Sequence, residues 1–159
     1  IFQEMENSVA KQLRKLVEFD ETLAGGIMTT HILTTHEEDT VASALKLLVE
    51  NKDRDISDGI VVVDAKGRLL DHIQIIELVA AKSSAKLSTL VGPPFPTSVG
   101  INDRLDEVIK EFANNRGSSI MVVDEKNKPV GRILADDLVD ALASTSESSG
   151  FAQGSGALQ

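Results

Sequence analysis

Residues Ile60–Ala81 read IVVVDAKGRLLDHIQIIELVAA, and sixty positions on, Ile120–Ala141 reads IMVVDEKNKPVGRILADDLVDA, aligned without a gap. Ile60, Val62, Val63, Asp64, Lys66, Ile73, Leu78, Val79 and Ala81 each meet an identical residue. Both copies pass from a β-branched apolar run through a polar turn to a second apolar run and a short helix. Self-similarity over this length predicts one duplicated supersecondary unit, with the two copies packed on each other.

Working outward from the repeat, Val41, Ala44, Leu45 and Leu48 stand at i, i+3, i+4 and i+7, the spacing of one helix face. Leu105, Val108, Ile109 and Phe112 repeat that spacing in the second half. Glu38-Asp39-Thr40 marks the start of the first of these helices, where carboxylates suit the dipole. Thr34 to Thr40 reads as extended before it. The duplicated unit is thus larger than the opening stretch, about 28–81 against 91–142, in the order β-α-β-β-α. The fold class is α/β (α+β).

The flanks read differently. Over residues 4–18, Met5, Val9, Leu13, Leu16 and Val17 form an amphipathic stripe, the end of an upstream helical domain covering 1–23. The first repeat is expected over 24–86 and the second over 87–143. Gly25-Gly26 marks a tight turn or close helix contact, and Gly92-Pro93-Pro94-Phe95-Pro96 is excluded from helix interiors. From 144 to 159 the Ser- and Gly-rich composition predicts a flexible tail or connector.

Composition narrows the function. The 159 residues carry a formal charge of -9, with 42% hydrophobic and 26% charged residues. Acidity repels phosphate backbones, and five Phe with no Trp or Tyr leave few rings for stacking, so nucleic acid is not an expected partner. The absence of Cys removes disulfides, thiolate zinc sites and Cys nucleophiles. No apolar run is long enough to span a bilayer, so no direct membrane insertion by this segment is expected. His31, His36 and His72 lack metal-ligand spacing, and Ser83, Ser84, Ser118 and Ser119 lack a nucleophile elbow, so the chain reads as no enzyme. His31 and His36 are expected in solvent, and His72 on a strand facing a partner.

A tandem β-α-β-β-α unit whose hairpin opens on Val-Val-Asp resembles the cystathionine-β-synthase (CBS) domain, and two such units a CBS pair. The resemblance implies a regulatory binding module and a homodimer. A narrower resemblance rests on Phe19-Asp-Glu-Thr-Leu-Ala-Gly-Gly-Ile-Met-Thr-Thr30 and Gly131-Arg-Ile-Leu-Ala-Asp-Asp-Leu-Val-Asp140. These are similar to the junction and second CBS domain of MgtE-type magnesium transporters. That family's cytosolic part senses Mg2+ on the cytoplasmic side of the plasma (inner) membrane and controls a transmembrane pore domain of the same protein.

Magnesium takes oxygen ligands and keeps several waters, so loose carboxylate clusters suffice to bind it. The resemblance assigns regulatory Mg2+ to Asp124 and Asp136, with Asp137, Asp140, Asp20 and Glu21 as further candidates; Lys126 stands where the family usually has an acid. The residues alone allow another reading, in which Asp at a strand end forms a turn and Asp at a helix start caps it. A tenfold rise above half-saturation supplies about 1 kcal/mol per site, whereas a switch from 1:99 to 99:1 needs about 5.5 kcal/mol. Several ions bridging mutually repelling acidic faces are therefore expected to act together.

Two alternatives remain open at this stage. CBS pairs often hold ATP or AMP through a Thr/Ser-x-x-Asp motif; here the matching positions read Gln74-Ile-Ile-Glu77 and Leu134-Ala-Asp-Asp137, so only Asp137 keeps the ribose-binding carboxylate. The other alternative is a ligand-free dimerisation module of a soluble protein.

Overall fold

The computed structural model describes residues 23–54, 58–115 and 119–143. The expected helix over 4–18, Asp20, Glu21 and the expected tail over 144–159 lie outside the described residues. A short helix α1 (Ala24–Ile27) leads into the first repeat: β1 (Thr34–His36), α2 (Val41–Glu50), β2 (Gly59–Val63), β3 (Leu69–Gln74) and α3 (Ile75–Ala80). A 3-10 turn at Leu87–Thr89 precedes the second: β4 (Ser98–Gly100), α4 (Leu105–Asn115), β5 (Ser119–Val123), β6 (Pro129–Leu134) and α5, residues 135–143. Each repeat holds a three-stranded sheet, ordered β1-β2-β3 and β4-β5-β6. The first two strands are parallel and the last two antiparallel.

The duplication extends to register. Ile60 pairs with Ile73 and Val62 with Asp71, while Ile120 pairs with Ile133 and Val122 with Gly131. Each hairpin then shifts register, between Val62 and Val63 in the first and between Val122 and Val123 in the second. The turns that follow need one left-handed residue each, supplied by Gly67 at φ 81° and Asn127 at φ 63°. Glycine and asparagine are the residues that tolerate this conformation.

The unbroken apolar run in β2 has a packing reason: every residue of this strand is buried, as in a strand covered on both faces. Ile60 and Val62 join Val41, Ala44, Ile73, Leu78 and Leu87 in the core of the first repeat. Their alternates, Val61 and Val63, point the other way and meet Met121 of β5, as period-two geometry requires. Ile32 and Leu69 close this seam between the repeats, and the Leu69 N–H donates across it to the Asn127 carbonyl at 2.8 Å.

Each repeat also borrows a segment. Ala24 is fully buried beside Val99, Val108, Ile120, Val122 and Ile133 of the second repeat. Its N–H donates to the Asp103 carbonyl at 2.8 Å, and Thr29 and Arg132 exchange a reciprocal pair of backbone hydrogen bonds. In return Leu87 is fully buried in the first core, with its N–H on the Asp39 carbonyl at 2.8 Å. Packing order therefore crosses covalent order on both sides of the linker.

The helix α2 begins where Glu38-Asp39-Thr40 marks its start. Thr40 itself caps α2, its hydroxyl accepting the Ser43 N–H at 3.1 Å. Asp39 instead accepts the Thr35 hydroxyl at 2.7 Å and the His36 N–H at 3.1 Å, closing the turn before the helix. In α4, Leu105 and Val108 are buried but Ile109 is 38% exposed, so the apolar face is narrower than its spacing suggests.

Candidate metal and nucleotide sites

Asp124 follows β5 at the head of the hairpin turn. Its Oδ1 accepts the N–H groups of Lys126 at 2.8 Å and Lys128 at 3.0 Å. These bonds, the Lys128 amide first, hold its carboxyl below the usual carboxylate range. Asp64 does the same in the first repeat, its Oδ1 accepting from Lys66 and Arg68 while Oδ2 pairs with the Arg68 guanidinium at 2.7 Å. Asp124 differs in having no arginine at the equivalent of position 68: Lys128 stands there, and among the described residues only Oδ1 of Asp124 accepts a hydrogen bond.

The last-helix candidates divide in the same way. The Asp137 Oδ2 accepts the Leu134 N–H at 2.9 Å, a cap matched in the first repeat by Glu77 on the Gln74 N–H at 2.9 Å. Asp136 and Asp140, one helical turn apart on α5, are both exposed. Among the described residues no three acidic or histidine side chains converge on a common metal position. The donors are hard oxygens of the kind Mg2+ takes, but they are spread over a turn and a helix, and a closed coordination sphere requires waters or ligands from outside these residues.

A cavity of about 410 Å³ opens beside α3, lined by Asp58, Gln74, Ile75, Ile76 and Val79. It lies at the first of the two positions matched to the ribose motif. Asp137, the carboxylate retained at the second, does not line it.

Sequence reasoning passed over an ionic cluster behind this cavity. Arg132, with only 5% of its side chain exposed, reaches from β6 of one repeat to Asp58 of the other, Nη1 to Oδ1, at 3.3 Å. His72 occupies the equivalent position in β3, and its Nε2 lies 3.6 Å from that same oxygen. Beside it, buried Asp71 accepts the His72 N–H at 2.8 Å and the Gly92 N–H at 3.2 Å, tying the linker to β3. Burial pushes the Asp71 carboxyl up despite these bonds. The available signal was an acid and a histidine between the apolar residues Leu70 and Ile73 of the strand. His31 and His36 are exposed and His72 is on a strand, as expected; its side chain meets Asp58 of the same chain.

Comparison with known proteins agrees with this architecture. The CBS domain family matches residues 24–80 and 93–144, one match per repeat. The magnesium transporter MgtE of Thermus thermophilus is 29% identical over 132 residues, which cover 82% of this chain and 29% of the transporter. That of Enterococcus faecalis is 22% identical over 134 residues, covering 84% and 29%. The chain thus spans under a third of the length of these curated relatives. The crystal structure of the cytosolic domain of the Mg2+ channel MgtE in complex with ATP superimposes at a TM-score of 0.72, with 29% identity over 80% of this chain and 51% of that one. The soluble part of a magnesium transporter does so at 0.75, with 20% identity, covering 86% and 54%. The duplication visible in the sequence is the pairing of two CBS domains, similar to the MgtE cytosolic region, and the chain belongs to the CBS domain family.

Proposed function

We propose that this chain is the Mg2+-sensing regulatory module of a magnesium transporter, a binding unit and not a catalyst, placed on the cytoplasmic side of the membrane. The observation that carries the reading is the 29% identity to a magnesium transporter over 132 residues, a span covering 82% of the chain. The partner is a transmembrane pore domain of the same full-length protein; among the described residues no helix is long and apolar enough to cross a membrane. A divalent ion would supply charge neutralisation between acidic faces that otherwise repel.

The residues proposed to hold it are Asp124, through the oxygen not spent on its turn, with Asp136, Asp137, Asp140, Asp20 and Glu21. Because no three of the described acids converge, the remaining ligands are waters or carboxylates of another copy. Exposed Ile76 and Val79 on α3, and Val139 and Leu142 in the second repeat, form the proposed homodimer faces. Thermal melts in millimolar MgCl2 and in NaCl of equal ionic strength test this reading. Selective stabilisation by magnesium supports it, and equal shifts in the two salts contradict it.

A second reading, adenine-nucleotide sensing, is favoured by the ATP-bound relative of 29% identity together with the cavity beside Asp58. Calorimetry with ATP and AMP, with and without magnesium, separates the two: heat from nucleotide alone would move the sensing role to the cavity.

A further inference from the structure

At the seam between the repeats Asp58 faces two basic side chains. Arg132 and His72 stand at equivalent positions of the duplicated hairpins, and both approach Oδ1 of Asp58, at 3.3 Å and 3.6 Å. The His72 Nε2 atom is buried and lacks a hydrogen bond, and its side chain is only 13% exposed. Asp58 is 42% exposed, so solvent reaches the cluster from its side. The charged and titratable groups around the imidazole are Asp58 ahead of β2, Asp71 on β3, Glu77 on α3 and Arg132 on β6.

We propose that His72 makes the contact between the two CBS domains proton-sensitive. Neutral, it packs beside the Arg132–Asp58 pair; protonated, it places a second cation beside the Arg132 guanidinium in a largely buried site, loosening the seam. None of these groups is a candidate magnesium ligand, and Asp58 also lines the cavity beside α3.

Burial, with Arg132 adding to it and Asp58 opposing, holds the imidazole below its ordinary value of 6.5. A depressed folded value means that the folded state binds fewer protons than the unfolded chain. The stability is therefore complete above about pH 6.5 and is lost as pH falls from there through the folded value.

The test is an NMR titration of the imidazole protons of the intact chain, paired with melting temperature and amide exchange between pH 7.5 and 5. His72 is expected to titrate below 6.5. The Leu69 amide, which bridges the repeats, should exchange faster than its intrinsic rate change predicts as pH falls, and the melting temperature should drop. In His72→Gln both acid responses should be lost, while His31→Gln and His36→Gln keep them. A His72 titration at or above 6.5 overturns the proposal without recourse to any variant, as does an acid response unchanged in His72→Gln.

Discussion

Asp124 is asked to do two things, and substitutions separate them. Its Oδ1 closes a turn by accepting two backbone N–H groups, a task that the amide oxygen of asparagine can also perform. Asp124→Asn should therefore keep most of the melting temperature while losing magnesium response, whereas Asp124→Ala should lower the melting temperature with or without magnesium. Because the folded carboxyl is held below its ordinary value of 3.8, the turn's contribution is complete above that value and is lost as pH falls from there through the lower folded value. Denaturant midpoints of wild type and Asp124→Ala should accordingly converge on acidification below pH 4. Equal loss in Asn and Ala would show that charge, not the turn oxygen, is what the fold uses.

At the scale of elements, the borrowed segments make the sharpest stability predictions. Leu87 lies in the linker but is fully buried in the first core. Leu87→Ala should cost about 2–5 kcal/mol by denaturant melt, and hydrogen exchange should show the first repeat loosening before the second. Gly131 faces the mirror-image segment: a Cβ there would come within 2.6 Å of the Thr29 carbonyl oxygen and 2.7 Å of the Met28 sulfur. Gly131→Ala should therefore cost about 1–3 kcal/mol, the range of an overpacked contact, and a stability within error of wild type would show that the 28–29 segment yields freely.

These elements also show what was legible beforehand. The strands and helices of both repeats followed from the offset of identical residues, because β-branched runs and apolar spacing report local geometry. The borrowed segments did not, since Ala24 and Leu87 carry no local signal of which repeat covers them. Nor did the Arg132–Asp58 pair, whose partners lie 74 positions apart and meet only when the two sheets are packed. Of the candidate metal ligands, the turn at Asp124 and the cap at Asp137 were readable as geometry, while their metal role rested on family resemblance. The exposed Ile109 shows the limit of spacing arguments, because periodicity places a side chain on a face without saying how far that face is covered.

The whole molecule combines an acidic chain, a duplicated scaffold and exposed apolar residues on the last helix of each repeat. Val79 and Val139 are equivalent in the repeat and are 63% and 61% exposed. On the proposed homodimer, wild type should sediment as a dimer and a Val79→Lys/Val139→Lys double variant as a monomer, because a charge at the centre of an apolar contact is left without a partner. A dimer that survives both lysines would place the interface elsewhere. The charge of -9 sets the counterpart of this attraction, since like-charged copies resist close approach until cations reduce the repulsion.

Small-angle scattering across a magnesium titration, at constant ionic strength, reads that balance directly. The account predicts that the radius of gyration falls as magnesium rises in the wild type and stays flat in Asp124→Asn/Asp136→Asn. An identical contraction in the double variant, or none in either protein, would contradict it.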